Sequence, residues 1–409
     1  MPNLLFGIMK QIILSFCSNL FFLDLIYLKY VEYVHKIYSF LFLILFACES
    51  YANSIIVGNL GSKIRGEVIS TFSYPWSFSF LNNDHLLVAT KPGKIWLVDS
   101  SGSKIEVENM VSVEYGGQGG MGDVVPHPNY SENYNIYFSY ITSDDGGKTR
   151  YAVVDRAILR DLSSPKLESR ERIWEQFPAV IGKGHFSHRI AFGPKGSVQE
   201  NKIFITSGDR QMQDPAQMWD TNFGKIVRLN DDGSVPQDNP FKNRGELAKT
   251  FWTTGHRNAL GLAFDQKNQL WANEMGPRHG DELNLIVPGS NYGWPLVSEG
   301  NHYNGAVIPP HDTRPEFTSP VTYWVPTLAP SGLTFYAGNE FKEWQGQAFL
   351  GGLKGKSLVR LKFKDEQVIE EERFSWRVRV RDVEVQNSGS VWVIEDGSNA
   401  RLIKFSSPN

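Results

Sequence analysis

Cysteine is nearly missing from this 409-residue chain: there are two, Cys17 and Cys48, and nothing after residue 48 carries a thiol. A body without cysteine has no disulfide and no thiolate metal site. It is compatible with export, because nothing in it can be misoxidised. An excess of charge is also lacking, with 41 Lys+Arg against 44 Asp+Glu. No basic run forms a polyanion footprint, so nothing points to nucleic acid as a partner. The chain has no strand–Gly-x-Gly-x-x-Gly–helix unit, which argues against a nicotinamide cofactor.

Aromatic residues are plentiful at 13%, and 37 Gly and 21 Pro punctuate the chain. That mixture suits many short strands joined by turns. The first 52 residues differ. Lys36 precedes the apolar run 38–47, which matches the hydrophobic region of a secretory signal. Ser50-Tyr51-Ala52 supplies a small-x-small cleavage pattern and predicts a mature start near Asn53. A second reading takes Leu45-Phe46-Ala47-Cys48 as a lipoprotein box with Cys48 lipidated. Residues 1–35 read either as a membrane segment or as sequence upstream of the true start. The expected division is therefore a leader over 1–52 and one domain over 53–409. The protein is expected in the periplasm or outside the cell, touching a membrane only through its N-terminus.

From residue 53 the pattern is strand, turn, strand. Pro75-Trp-Ser-Phe-Ser-Phe80 alternates with period two, and Leu86-Leu-Val-Ala89 and Lys94-Ile-Trp-Leu-Val98 follow after turns. Similar units recur at 121–140, 185–206, 256–273, 331–363 and 381–405. Six imperfect copies imply an all-β, six-bladed β-propeller. Roughly 60 residues per copy is long for a four-stranded blade. Insertions are therefore expected at 141–184, 207–250 and 296–325, with long loops building a site at one end of the channel.

Residues 271–295 are the densest in chemistry. Leu270-Trp-Ala-Asn273 reads as a strand, Gly276-Pro277 breaks it, Asp281-Glu282 follow, and Asn291-Tyr-Gly-Trp-Pro295 closes the stretch. Bent backbone frees carbonyl oxygens that, with carboxylates, suit Ca²⁺. The plainer reading is a polar loop whose carboxylates bond local amides.

Several motifs occur in one order. They include Gly117-Gln118-Gly119-Gly120, His185-Phe-Ser-His-Arg189, Ser207-Gly-Asp-Arg210, Gly255-His-Arg-Asn258, Asp281-Glu-Leu-Asn284 and Ala329-Pro-Ser331. Leu353-Lys354 and Arg379-Val-Arg-Asp382 come after them. In that order the chain resembles the soluble, pyrroloquinoline-quinone (PQQ)-dependent glucose and aldose sugar dehydrogenases over residues 55–407. The resemblance implies a six-bladed propeller that oxidises aldoses at C1 with PQQ and Ca²⁺ and passes electrons to an external acceptor, as a monomer or homodimer.

It also implies roles. His185 stands where the family keeps its base, with Asp209 beside it and Gln118 near substrate. Arg257 and Asn258 match the pair at the quinone carbonyl, and Lys354, Arg379 and Arg381 match the cations around the cofactor carboxylates. Trp324 matches an aromatic on the substrate side. The Gly276 and Pro277 carbonyls match ligands of the cofactor's Ca²⁺, and Asp281, Glu282 and the Tyr292 carbonyl match those of a second Ca²⁺. Each residue also has an ordinary reading: a structural histidine, a turn-capping aspartate, a loop amide, solvated cations at strand ends, a core tryptophan. Met121-Gly122-Asp123 departs from the family's usual Leu-Leu-Gly, and the loops 212–221 and 299–318 match no family pattern. Two other functions share parts of this pattern. A calcium-dependent propeller lactonase or esterase would use the acidic residues and His185. A non-enzymatic exported propeller would use the cations to bind a glycan or protein.

Overall fold

The structure, a computed structural model, describes residues 54–408. The expected leader, its cleavage site, Cys48 and the domain boundary at 52/53 lie outside the described residues. Among the described residues no helix is long and apolar enough to cross a membrane.

Six antiparallel sheets make up the described chain. Blade I runs from strand Pro75–Phe80 to Lys104–Glu106, and blade II from Met121–Pro126 to Glu168–Glu175. Blade III runs from Ser187–Phe192 to Phe251–Thr254, blade IV from Ala259–Phe264 to Thr322–Trp324, and blade V from Pro330–Phe335 to Gln367–Ser375. Blade VI joins the two ends of the domain. Its strands Val380–Val385, Val391–Glu395 and Ala400–Ser406 are completed by Lys63–Phe72 and Ile55–Val57. The first strand of each blade packs against the first strand of the next, and Val380–Val385 packs against Pro75–Phe80, which closes the ring.

Burial falls from the axis outward. The inner strand Pro-Trp-Ser-Phe-Ser-Phe is buried almost throughout, whereas the outer strand Glu-Ser-Arg-Glu-Arg-Ile-Trp-Glu is mostly exposed. Serines suit the crowded axis: Ser77 and Ser79 donate to the Gly122 and Val124 carbonyls of the next blade. Between the blades the faces interlock as separate apolar cores. Leu87 and Ile95 of blade I meet Val124 and Phe138 of blade II, and Phe72 and Trp392 of blade VI meet Phe78 and Val88 of blade I. Burial at roughly 25 cal/mol per Å² makes these cores the main favourable term.

The expected propeller is present, with a correction to its loops. The segment 141–184 holds the two outer strands of blade II, and 207–250 holds Lys225–Asn230. Of the three expected insertions, 296–325 is the one that is nearly all loop, ending in the short strand Thr322–Trp324.

Candidate active site

Every inner strand has a register slip within its first residues, from Pro75/Ser77 round to Val380/Asp382. Such slips bend strands and re-aim side chains. Several of the expected site residues lie at this same rim, with Asp396, which was not expected, among them. Gln118, His185, Asn258 and Arg379 each lie one to three residues before an inner strand, and Asp209 and Asp396 lie just after second strands. A cavity of about 420 Å³ opens there, lined by Trp76, Lys91, Gln118, Ser187, Arg379 and Arg381 among others.

His185 sits in strained backbone. Its φ is 46°, and Ser187 and His188 follow at 59° and 58°. Left-handed non-glycine residues persist only where surroundings impose them, and they gather at functional sites. Here Gln118 Oε1 accepts from the His185 amide at 2.7 Å, and Arg210 holds the Gly184 carbonyl at 3.0 Å. Gly208 lets the neighbouring turn approach, since a Cβ there would stand 2.1 Å from the His185 carbonyl.

The His185 ring bonds Asp209 Oδ1 through Nδ1 at 2.7 Å. Burial pushes Asp209 up, but the His185 bond and charge, with Arg257 and the Gln211 amide, outweigh it and hold the carboxyl below its ordinary value. An ionised Asp209 fixes the hydrogen on Nδ1 and leaves Nε2 as an acceptor. Burial, opposed by the Asp209 bond and helped by Arg257, lowers His185. The imidazole is therefore neutral at neutral pH and ready to take a proton.

Arg257 is buried, and its Nη1 donates to the Met275 and Gly276 carbonyls at 2.8 and 2.6 Å. Its Nε and the Nδ2 of Asn258 are buried donors without a partner among the described residues. Asn258 Oδ1 accepts from Ser187 Oγ at 3.2 Å, and Ser187 lines the cavity. At the cavity's other wall Arg379 and Arg381 share Asp396, at 2.6 and 2.8 Å. Lys91 joins them; burial, then the charge of Arg381, lowers its pKa. Lys91 was not legible as a site residue, because nothing in Lys91-Pro-Gly93 distinguishes it from a hairpin turn. Lys354 is exposed on the turn beside Leu353, which lines the cavity, and its side chain makes no bond among the described residues.

Two expectations are corrected. Trp324 is a core residue: it packs with Trp271, Leu283 and Leu333 between blades IV and V and donates to Glu371 at 2.8 Å. Aromatics that do line the rim cavities include Tyr74, Trp76, Phe186 and Trp294. Asp281 and Glu282 do not act together. Asp281 accepts from the Gly276, Leu328 and Ala329 amides and the Thr327 hydroxyl, at 2.6 to 3.0 Å, so it organises the turn. Glu282 instead faces Glu274, and the Asn284 amide reaches both, at 3.3 and 3.1 Å. Burial and then Glu274 raise Glu282 well above the usual range. The Tyr292 carbonyl is bonded by His311 at 3.1 Å. Glu274, Glu282, Pro277 and Tyr292 border a cavity of about 10 Å³.

A family model for glucose / sorbosone dehydrogenase matches residues 72–404. The chain belongs to this family. It is 34% identical to aldose sugar dehydrogenase YliI of Escherichia coli, over 82% of this chain and 91% of that protein. It is 30% identical to quinoprotein glucose dehydrogenase B of Acinetobacter calcoaceticus, over 68% of this chain and 63% of that one. Among solved structures, the PQQ-bound form of aldose sugar dehydrogenase from Streptomyces coelicolor superposes with a TM-score of 0.68 at 26% identity, covering 84% and 98% of the two chains. The protein is thus a glucose / sorbosone dehydrogenase-family oxidoreductase.

Proposed function

We propose that the protein oxidises aldose sugars at C1 to the lactone, using PQQ and Ca²⁺. One observation carries this reading: a neutral, carboxylate-held histidine stands beside a cavity whose far wall is cationic. The residues present fit the cofactor. Lys91, Arg379 and Arg381 would face its carboxylates, and the unpartnered donors of Arg257 and Asn258 would meet a carbonyl oxygen. When bound, the quinone accepts a hydride and Ca²⁺ supplies a Lewis acid.

The rest falls to this chain. His185 Nε2 takes the proton of the C1 hydroxyl, while Asp209 holds the tautomer and offsets the imidazolium charge. Gln118 holds the backbone that carries the base. Arg257 supplies fixed positive charge where negative charge develops. A ligand role for the Gly276 carbonyl would use its second lone pair, because Arg257 Nη1 already donates to that oxygen. A second Ca²⁺ would be held by Glu282 with Glu274 rather than with Asp281; their cavity has room for about one small ion. The cysteine-free body and the signal-like sequence pattern at 36–52 support action in the periplasm or outside the cell.

Dye-linked aldose oxidation by the purified protein, with Ca²⁺ and with or without PQQ, tests the reading. Activity that appears only with the quinone is expected. No activity over an aldose panel, with no quinone binding by absorbance titration, would sink it.

A further inference from the structure

Trp294 belongs to the 291–295 motif, and the contacts of its indole with Asp209 and Arg257 were not foreseen from the sequence. Its indole Nε1 donates to Asp209 Oδ2 at 2.8 Å, opposite the oxygen that holds His185. The guanidinium of Arg257 lies 5.2 Å from its ring centroid. One side chain therefore touches the partner of the base and the cation together. The indole is 6% exposed.

Trp294 is in turn held by both loops that match no family pattern. In the loop 212–221, Gln217 Nε2 donates to the Trp294 carbonyl at 2.7 Å and pairs with the Asn291 side chain at 3.1 and 2.7 Å. From that loop Ala216 packs against the indole, and from the loop 299–318 Ile308 does so. The first loop has its own anchor. The buried Lys225 ammonium donates to the Pro215, Ala216 and Phe223 carbonyls at 2.7 to 2.9 Å. Arg257 completes the ring of contacts, since the Asp209 amide donates to its carbonyl at 2.8 Å.

We propose that Trp294 is a positioning residue, through which the loops 212–221 and 299–318 set the geometry and basicity of the His185–Asp209 base. The inference rests on His185 being the base. The physical argument is direct. A hydrogen bond to an ionised carboxylate is stronger than a neutral one. Without the indole N–H, the Asp209 charge concentrates on the oxygen facing His185, and the imidazolium is stabilised more.

Trp294→Phe keeps an aromatic ring and removes the N–H. The expected result is a kcat lower by roughly 10-fold, because an Asp209 freed from the indole no longer aims Nε2 and this loss outweighs the added basicity, with KM for the aldose little changed. The acid limb of the kcat profile should move to higher pH. The His185 pKa, read by histidine NMR on protein without quinone or sugar, should rise. That NMR readout stands even where the dehydrogenase assay fails, so the two ideas fail separately. A double-mutant cycle with Asp209→Asn should be strongly non-additive. If Trp294→Phe does not fold, Gln217→Ala leaves the indole in place but frees its backbone, and the same upward shift is expected. An unchanged His185 pKa in the variant that folds, or an additive cycle, overturns the proposal and leaves Trp294 as packing alone.

Discussion

At the scale of single residues, the site depends on which atoms already have partners. His185 gives Nδ1 to Asp209, so Nε2 alone is available to a substrate. Because burial holds His185 below the ordinary histidine value of about 6.5, the free base predominates at neutral pH. The sign is clear: a lowered pKa means the proton leaves more readily, and activity should fall only when acid reaches the lowered pKa. A kcat/KM profile should therefore show its acid limb below about 6.5, and a limb above that value would contradict the assignment. His185→Gln should lose roughly 10²- to 10⁴-fold in kcat, the range for general bases.

The residues that sequence made legible are those inside glycine-punctuated turns, such as His185, Asp209, Arg257 and Asn258. Asp396 and Lys91 were not, because each is an unremarkable turn residue brought to the site by a different blade. Trp324 was misread for the opposite reason. A flat aromatic suits a sugar, but it suits a blade interface equally, and a neighbouring apolar wall decides between them.

At the scale of elements, one geometry repeats six times: an inner strand slips register at its start, and a second strand ends beside it. The inner strands were legible because they alternate strongly and are bounded by turns. The outer ones were not. Glu168–Glu175 carries five charges in eight residues, so it lacks the apolar period by which strands are found, and it forms because the inner strands template it. The rim depends on close approach of such elements. Gly208→Ala would place a Cβ 2.1 Å from the His185 carbonyl, and backbone must give way. We expect a stability loss of about 1–3 kcal/mol, typical of overpacking, and a larger proportional loss of kcat. Urea melts alongside steady-state kinetics check this. A variant with lowered stability and normal kcat at a temperature where it is folded would show that the turn can shift without moving His185.

At the scale of the whole molecule, five of the six blades meet at one buried cation on the axis. Arg189 of blade III bonds Asp123 of blade II at 3.1 Å, Asp382 of blade VI at 3.0 Å and the Leu260 carbonyl of blade IV at 2.7 Å. Its guanidinium lies 4.3 Å from the Trp76 ring centroid of blade I, whose Phe78 amide donates to Asp382 at 3.1 Å. Burial raises Asp382 to about 6 even though Arg189 opposes it. Arg189→Met keeps much of the volume but leaves two carboxyls unpaired in the axis. Removing one partner of a buried pair costs about 3–5 kcal/mol, because the remaining charge is uncompensated. The loss should depend on pH. A carboxyl whose folded pKa lies above its unfolded value near 3.9 holds a proton that the unfolded chain releases, so its stabilising effect is present at low pH and fades as pH rises through the folded pKa. Without Arg189 that folded pKa rises further, so the variant's deficit should be largest at pH 7.5 and smaller at pH 5. Adding Asp382→Asn should recover part of it at the higher pH. Equal deficits at both pH values would mean that packing around the arginine stem, and not the buried charge, holds these five blades at their axis.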